Sequence, residues 1–205
     1  MKEQEVIFGS QLSGIINGDG DRGPVVIAHG AGAGMTAALL KKTAVKLAEL
    51  GFIVLRFNFG YVSRKSAPSL GGKKEEPDLS AAIDYMKEHG NPILVGRSFG
   101  ARVCANVSLE RDDVKAMVFY GMPLQGASKT AKPRDWSHLP KIKVPMLFIT
   151  GDKDQLCPLD QLEEIVEGLT AAVTSIVVPG DHGFKPKSED LAVEKCCSWI
   201  DSLKG

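Results

Sequence analysis

Six short runs of consecutive apolar residues recur along the chain: Val25-Val26-Ile27-Ala28, Phe52-Ile53-Val54-Leu55, Ile93-Leu94-Val95, Ala116-Met117-Val118-Phe119-Tyr120, Met146-Leu147-Phe148-Ile149 and Ser175-Ile176-Val177-Val178. Their apolar positions are continuous, the pattern of strands covered on both faces. Turn residues follow each run, and most turns lead into a stretch with helical spacing. From Thr36 to Leu50, Leu39, Leu40, Thr43, Leu47 and Leu50 fall on one side of a helix and Gly51 stops it. From Asp78 to His89, Leu79, Ala82, Ile83 and Met86 repeat the arrangement, with Pro77 at the start and Gly90 at the end. Further helices are expected from Ser98 to Arg111, Pro158 to Leu169 and Ser188 to Leu203. Strands alternating with helices predict a mostly parallel, doubly wound α/β sheet. Two weaker strands, around Val6-Ile7-Phe8 and Gly14-Ile15-Ile16, predict an antiparallel edge at the N-terminal side.

No repeat and no low-complexity linker interrupts this pattern, so residues 1–205 read as one domain. A chain of this length removes roughly 70% of its unfolded surface from water and needs neither disulfides nor metal to hold together. Two stretches stand apart as long loops: Gly60 to Pro77, rich in Ser, Gly and Lys, and Met122 to Val144, which carries Trp136. Loops of that length in a compact domain are usually functional or mobile.

Charge narrows the list of partners. The chain has 25 Lys+Arg against 25 Asp+Glu, with none of the cationic excess that nucleic acid or anionic lipid demands. No stretch approaches the roughly 20 apolar residues that cross a bilayer, and Met1-Lys2-Glu3-Gln4-Glu5 is polar where a secretory signal would be apolar. The expectation is a cytoplasmic protein. Cys104, Cys157, Cys196 and Cys197 show no CxxC spacing and read as free thiols. Oligomeric state stays open.

The sharpest chemical signal is Gly96-Arg97-Ser98-Phe99-Gly100, a GxSxG sequence between the strand Ile93-Leu94-Val95 and a helix. In that context it describes a nucleophile elbow, in which a strained turn lifts the serine hydroxyl clear of the backbone. The two glycines relieve crowding against neighbouring elements. The helix that follows aims unpaired N–H groups at the serine, so the Phe99 N–H can receive an oxyanion. The plain alternative is chance, since 22 glycines make such spacings easy to find.

A serine alcohol needs a base and a carboxylate to become a nucleophile. Of four histidines, His182 lies in a loop directly after the last predicted strand, where it can reach across the sheet's edge. His89 caps a helix end, His138 reads as solvated, and His29 reads as structural, tying its turn to neighbouring backbone. The carboxylate is expected after Met146-Leu147-Phe148-Ile149, where Thr150-Gly151-Asp152-Lys153-Asp154 offers two. Spacing alone does not choose between Asp152 and Asp154. Arg97 either meets an acidic substrate or braces the elbow, and Cys157 reads as a buried filler. Arg64, Lys65, Lys73 and Lys74 read as solvated surface.

With these residues in place the sequence resembles the α/β-hydrolase family, in its small lidless branch near the dienelactone hydrolases. The likeness runs from His29-Gly30 through the elbow and Gly151-Asp152-Lys153-Asp154 to Asp181-His182, in the family's order of serine, aspartate, histidine. More narrowly, Gly96-Arg97-Ser98-Phe99-Gly100-Ala101-Arg102 is similar to the elbow of the branch that includes the testis-expressed protein 30 and KANSL-type proteins. The resemblance selects Asp154 as partner of His182 and makes Asp152 a turn residue. It implies Ala31 as the second oxyanion donor, with Gly32 as the alternative, a small-molecule acyl substrate, no cofactor, no metal and no cap domain. Dienelactone hydrolases proper carry cysteine where this chain has Ser98, which favours ester or thioester chemistry.

Other readings compete. Gly32-x-Gly34-x-x-Ala37 fits a relaxed dinucleotide-binding turn, but the next strand ends at Asn58 with no acid to hold a ribose. A P-loop fails because Gly72-Lys73 is followed by Lys74. No HExxH or His/Cys spacing suggests a metal, and Asp152-Lys153-Asp154 lacks the other ligands of a calcium loop. A catalytically silent binding scaffold on the hydrolase fold is the competitor from a different functional class.

Overall fold

The computed structural model describes residues 2–126, 133–185 and 188–203. Among these residues eight strands form one sheet: β1 (Glu3–Phe8), β2 (Leu12–Asn17), β3 (Pro24–Ala28), β4 (Ile53–Phe57), β5 (Ile93–Arg97), β6 (Ala116–Tyr120), β7 (Met146–Gly151) and β8 (Val173–Val178). Their spatial order is β1-β2-β4-β3-β5-β6-β7-β8. The first two strands pair antiparallel with each other, and β2 pairs antiparallel with β4; every later pairing is parallel. The expected N-terminal edge is therefore present.

Among the described residues, five α-helices lie between strands and a sixth follows the last one: α1 (Ala38–Glu49), α2 (Gly60–Ser63), α3 (Glu76–Met86), α4 (Phe99–Val107), α5 (Leu159–Glu167) and α6 (Glu189–Ser202). Successive strand side chains point to opposite faces. Val25 and Ile27 of β3 enter the cluster formed with Leu40 and Leu47 of α1 and Ile200 of α6. Val26 and Ala28 enter the other, with Ile83 of α3, Val103 of α4 and Leu162 of α5. Both faces of the central strands are thus buried, which explains the unbroken apolar runs.

The last strand departs from that expectation. β8 lies at the sheet's edge, paired only with β7, and Thr174, Ser175 and Val177 are exposed. An edge strand has one unpaired side, and its apolar run does not report double coverage. The helix expected to reach Arg111 ends at Val107, where the Ser108 hydroxyl donates to the Cys104 carbonyl at 2.8 Å.

The loop from Gly60 to Pro77 is folded upon itself. It contains α2 and a 3-10 turn at Leu70–Gly72, and it is stapled by the buried carboxylate of Glu75, which accepts from the Ser69 N–H at 3.0 Å and from the Ser69 hydroxyl. Arg64, Lys65, Lys73 and Lys74 are exposed, as expected. In the second long loop Trp136 is buried, while residues 127–132 lie outside the described ones. His138 does not stand in solvent: its ring lies 5.5 Å from that of Trp136, and its Nε2 is buried without a hydrogen-bond partner. Burial holds its pKa below the ordinary histidine value.

Candidate active site

Parallel pairing brings the carboxyl ends of β3, β5, β6, β7 and β8 to one edge, and the chemistry-bearing residues follow those ends. Ser98 follows β5 directly. It has φ 51° and ψ −112°, a conformation that costs a non-glycine residue about 1–3 kcal/mol and survives only where surrounding contacts enforce it. Those contacts are visible: its N–H donates to the Tyr120 carbonyl at 2.9 Å, and its carbonyl accepts from the Arg102 N–H at 3.2 Å, which starts α4. A β-carbon on Gly96 would run into the backbone of Ala101, and one on Gly100 into the carbonyl of Ala28. Both glycines are steric requirements of the elbow.

The hydroxyl that this turn projects lies 2.9 Å from His182 Nε2. On the far side of the ring, Nδ1 lies 2.9 and 2.8 Å from the two carboxylate oxygens of Asp154. A carboxylate only accepts, so the ring hydrogen sits on Nδ1, and Nε2 is left to accept from Ser98. Asp154 is 4% exposed, and its charge is held by the Leu156 N–H at 2.8 Å and the Thr150 hydroxyl at 3.4 Å as well as by the ring.

Asp152 takes the other task. Its carboxylate accepts from the Gly180 N–H at 2.7 Å, while its own N–H donates to the Val178 carbonyl at 2.8 Å. It therefore fastens the loop that delivers His182. Asp181 shapes the same loop by accepting from the N–H groups of Gly183 and Lys185 at 2.8 and 3.1 Å, and these backbone bonds lower its pKa. Arg97 braces the same loop: its guanidinium donates to the His182 carbonyl at 3.3 Å. Cys157 is buried, as expected of a filler, and burial pushes its pKa up to about 12.

Ala31 and Gly32 are exposed in the turn after β3, beside the elbow: Gly30 packs so that a β-carbon there would lie 3.7 Å from Ser98 Cβ. Phe99 opens α4, so its N–H has no carbonyl four residues back to bond. His29 is structural, as expected. Its Nδ1–H donates to the Gly30 carbonyl at 2.8 Å, and Nε2 accepts from the Phe59 N–H at 3.1 Å. Burial lowers its pKa, in keeping with a neutral ring.

Two residues near this chain of hydrogen bonds escape a reading of the sequence. Gly121, after β6, has φ 58° and sits against both Asp154 and His182. A glycine directly behind a core strand, at the same edge as the elbow, is the signal that marks it. Tyr61 donates its hydroxyl to the Ala31 carbonyl at 3.2 Å from within a loop whose composition suggests only solvation. Nothing local distinguishes it.

A cavity of about 330 Å³ adjoins the ring of His182, lined by Lys153, Gln155, Leu156 and Asp181. Another of about 330 Å³ lies between α5 and Trp136 and touches none of the three hydrogen-bonded side chains. Among the described residues no cluster of His, Cys, Asp and Glu fits a metal ion, and no helix is long and apolar enough to cross a membrane.

These features define a class. A family model described as an alpha/beta hydrolase domain matches residues 21–198, and the chain belongs to that family. An uncharacterized protein of Rickettsia prowazekii (strain Madrid E) is 26% identical over 157 residues, which cover 71% of this chain and 64% of that protein. The chain thus spans just under two-thirds of the length of that curated relative. Among solved structures, a protein of unknown function from Agrobacterium tumefaciens, described as a putative alpha/beta hydrolase, superposes with a TM-score of 0.81 at 22% identity, over 98% of this chain and 95% of the other. A dienelactone hydrolase from Anabaena variabilis ATCC 29413 superposes with a TM-score of 0.78 at 22% identity, over 98% of each chain. The fold is a single-domain α/β-hydrolase fold. Between β4 and α3 the chain carries only α2 and one 3-10 turn, far short of a cap subdomain.

Proposed function

We propose that the protein is a serine hydrolase that cleaves a small ester or thioester through an acyl-enzyme, with Ser98 as nucleophile, His182 as base and Asp154 as its partner. The observation that carries this reading is the continuous path from Ser98 Oγ to His182 Nε2 at 2.9 Å and from His182 Nδ1 to Asp154 at 2.8 Å. The path sits on a strained elbow that a purely structural serine would have no reason to maintain.

The steps follow from the atoms. His182 Nε2 takes the hydroxyl proton as Ser98 Oγ bonds to the acyl carbon, and Asp154 stabilises the resulting imidazolium. The carbonyl electron pair moves onto oxygen, where the N–H groups of Phe99 and Ala31 receive it. Collapse of the tetrahedral species breaks the bond to the leaving oxygen or sulfur, which takes the proton from His182. Water then adds to the acyl carbon, its proton passes to His182, and the free acid leaves as Ser98 regains its hydrogen. No cofactor or metal enters.

The open edge and the cavity beside His182 favour a small or flexible acyl group. Within the family we place the chain in the lidless group near the dienelactone hydrolases. The elbow from Gly96 to Arg102 supports a position near the testis-expressed protein 30 and KANSL-type branch. Four buried free thiols support a cytoplasmic setting. A screen of ester and thioester substrates varying in acyl length and leaving group tests the reading. Turnover that disappears in Ser98→Ala is expected; turnover of no substrate by folded wild-type protein would overturn it in favour of a silent scaffold.

A further inference from the structure

Tyr61 stands next to the candidate active site without a part in the steps above. It is buried at 4% exposure, and its hydroxyl donates to the carbonyl oxygens of Ala31 at 3.2 Å and Gly30 at 3.4 Å. Its ring packs edge-on against Phe99, with centroids 6.1 Å apart and planes at 83°, and edge-on against His29 at 5.7 Å. One side chain therefore touches the carbonyls of the turn after β3 and the ring of Phe99, the residues proposed above as oxyanion donors.

Peptide geometry gives that contact a consequence. A trans peptide unit is planar, so its carbonyl and the following N–H point in opposite directions. The Gly30 carbonyl shares a plane with the Ala31 N–H, and the Ala31 carbonyl shares one with the Gly32 N–H. A donor that draws these two carbonyls to one side turns both N–H groups to the other. The Gly30 carbonyl has further donors in His29 Nδ1–H at 2.8 Å and the Ala33 N–H at 3.2 Å. For the Ala31 carbonyl, Tyr61 is the donor found among the described residues.

We propose that Tyr61 is a positioning residue for the oxyanion site: its hydroxyl sets the direction of the peptide N–H groups at Ala31 and Gly32, and its ring braces Phe99 on the opposite side. The inference rests on the serine-hydrolase reading and adds to it what holds the two donors at a fixed separation. It covers both candidates for the second donor, because the two peptide planes adjoin. Burial raises the phenol to about 12, so the hydroxyl keeps its hydrogen at any pH where the enzyme would work.

A tyrosine that merely fills space and satisfies its own hydroxyl would affect stability alone, and the test separates the two. Tyr61→Phe removes one oxygen and keeps the ring. Hydrolysis of p-nitrophenyl acetate is measured with kcat expressed per site titrated by a fluorophosphonate, so that loss of folded protein does not count. The expected result is a kcat lower by about 10- to 100-fold with KM within about twofold of wild type, because a displaced donor is felt in the transition state. A kcat per titrated site within about twofold of wild type overturns the proposal, whatever happens to Tm. A polyfluorinated tyrosine at position 61 preserves shape while acidifying the hydroxyl: a new fall of kcat at an alkaline pH where wild type still works supports the proposal, and a profile identical to that of wild type overturns it. Wild-type protein that takes up no fluorophosphonate overturns the hydrolase reading itself and this inference with it. A labelled wild type with an unimpaired Tyr61→Phe variant overturns only the role of Tyr61.

Discussion

A β-carbon placed on Gly121 would lie 3.2 Å from both Nδ1 and Cε1 of the His182 ring, and equally 3.2 Å from Asp154 Oδ2. The backbone there has φ 58°, so an L side chain would be strained even in open space. Gly121 is thus the floor on which the imidazole rests against its carboxylate.

Gly121→Ala is expected to destabilise the fold by about 1–2 kcal/mol through its backbone alone. The same methyl presses the ring and its carboxylate away by a few tenths of an ångström, and a rate loss of about tenfold is expected from that misplacement. Urea unfolding and ester hydrolysis on the same preparation check both effects. Wild-type kcat in the variant would show that the ring position does not depend on this contact.

The two aspartates after β7 are predicted to part company. Asp154→Asn leaves a neutral side chain that can impose the wrong tautomer on His182, and kcat is expected to fall by about 10³- to 10⁴-fold with little change in Tm. Asp152→Ala removes the acceptor of the Gly180 N–H, and its main effect is expected on stability, about 1–3 kcal/mol, with a rate loss under about tenfold. Steady-state kinetics and thermal melts of the pair decide the matter. Equal rate losses would remove the distinction between them.

His29 predicts a pH dependence of stability. Burial lowers its folded-state pKa below the ordinary 6.5, so just below that pH the unfolded chain takes a proton that the folded one refuses. The unfolded state then binds more protons, and stability falls as pH drops from 6.5 towards the folded pKa, with no contribution above 6.5. Replacing it by Asn removes that component. The urea midpoint of wild type is expected to drop between about pH 7.5 and 5.5 by more than that of His29→Asn. Identical drops would show that His29 titrates alike in both states.

The sheet was legible because β3 to β7 are covered on both faces and each carries a run of consecutive apolar residues, which Arg56, Arg97 and Thr150 interrupt only near the carboxyl ends. β8 misled for the same reason: Ile176, Val177 and Val178 continue the pattern although the strand lies at an edge. The elbow was legible because its glycines answer to local crowding, which a short motif encodes. Asp152 and Asp154 were not separable by spacing, because their roles depend on which strand's loop each meets: Asp152 meets Gly180, Asp154 meets His182. His138 looked solvated because nothing in its own stretch announces that Trp136 folds against it. Tyr61 was invisible for a similar reason, its partner lying thirty residues away across the edge.

The acyl-enzyme account is tested most directly by intact mass after incubation with a fluorophosphonate. A single phosphonyl adduct on wild type, absent from Ser98→Ala and much slower to form on His182→Ala, is the predicted result. Equal labelling of Ser98→Ala, or none of a wild type whose fold is intact by circular dichroism, would contradict it.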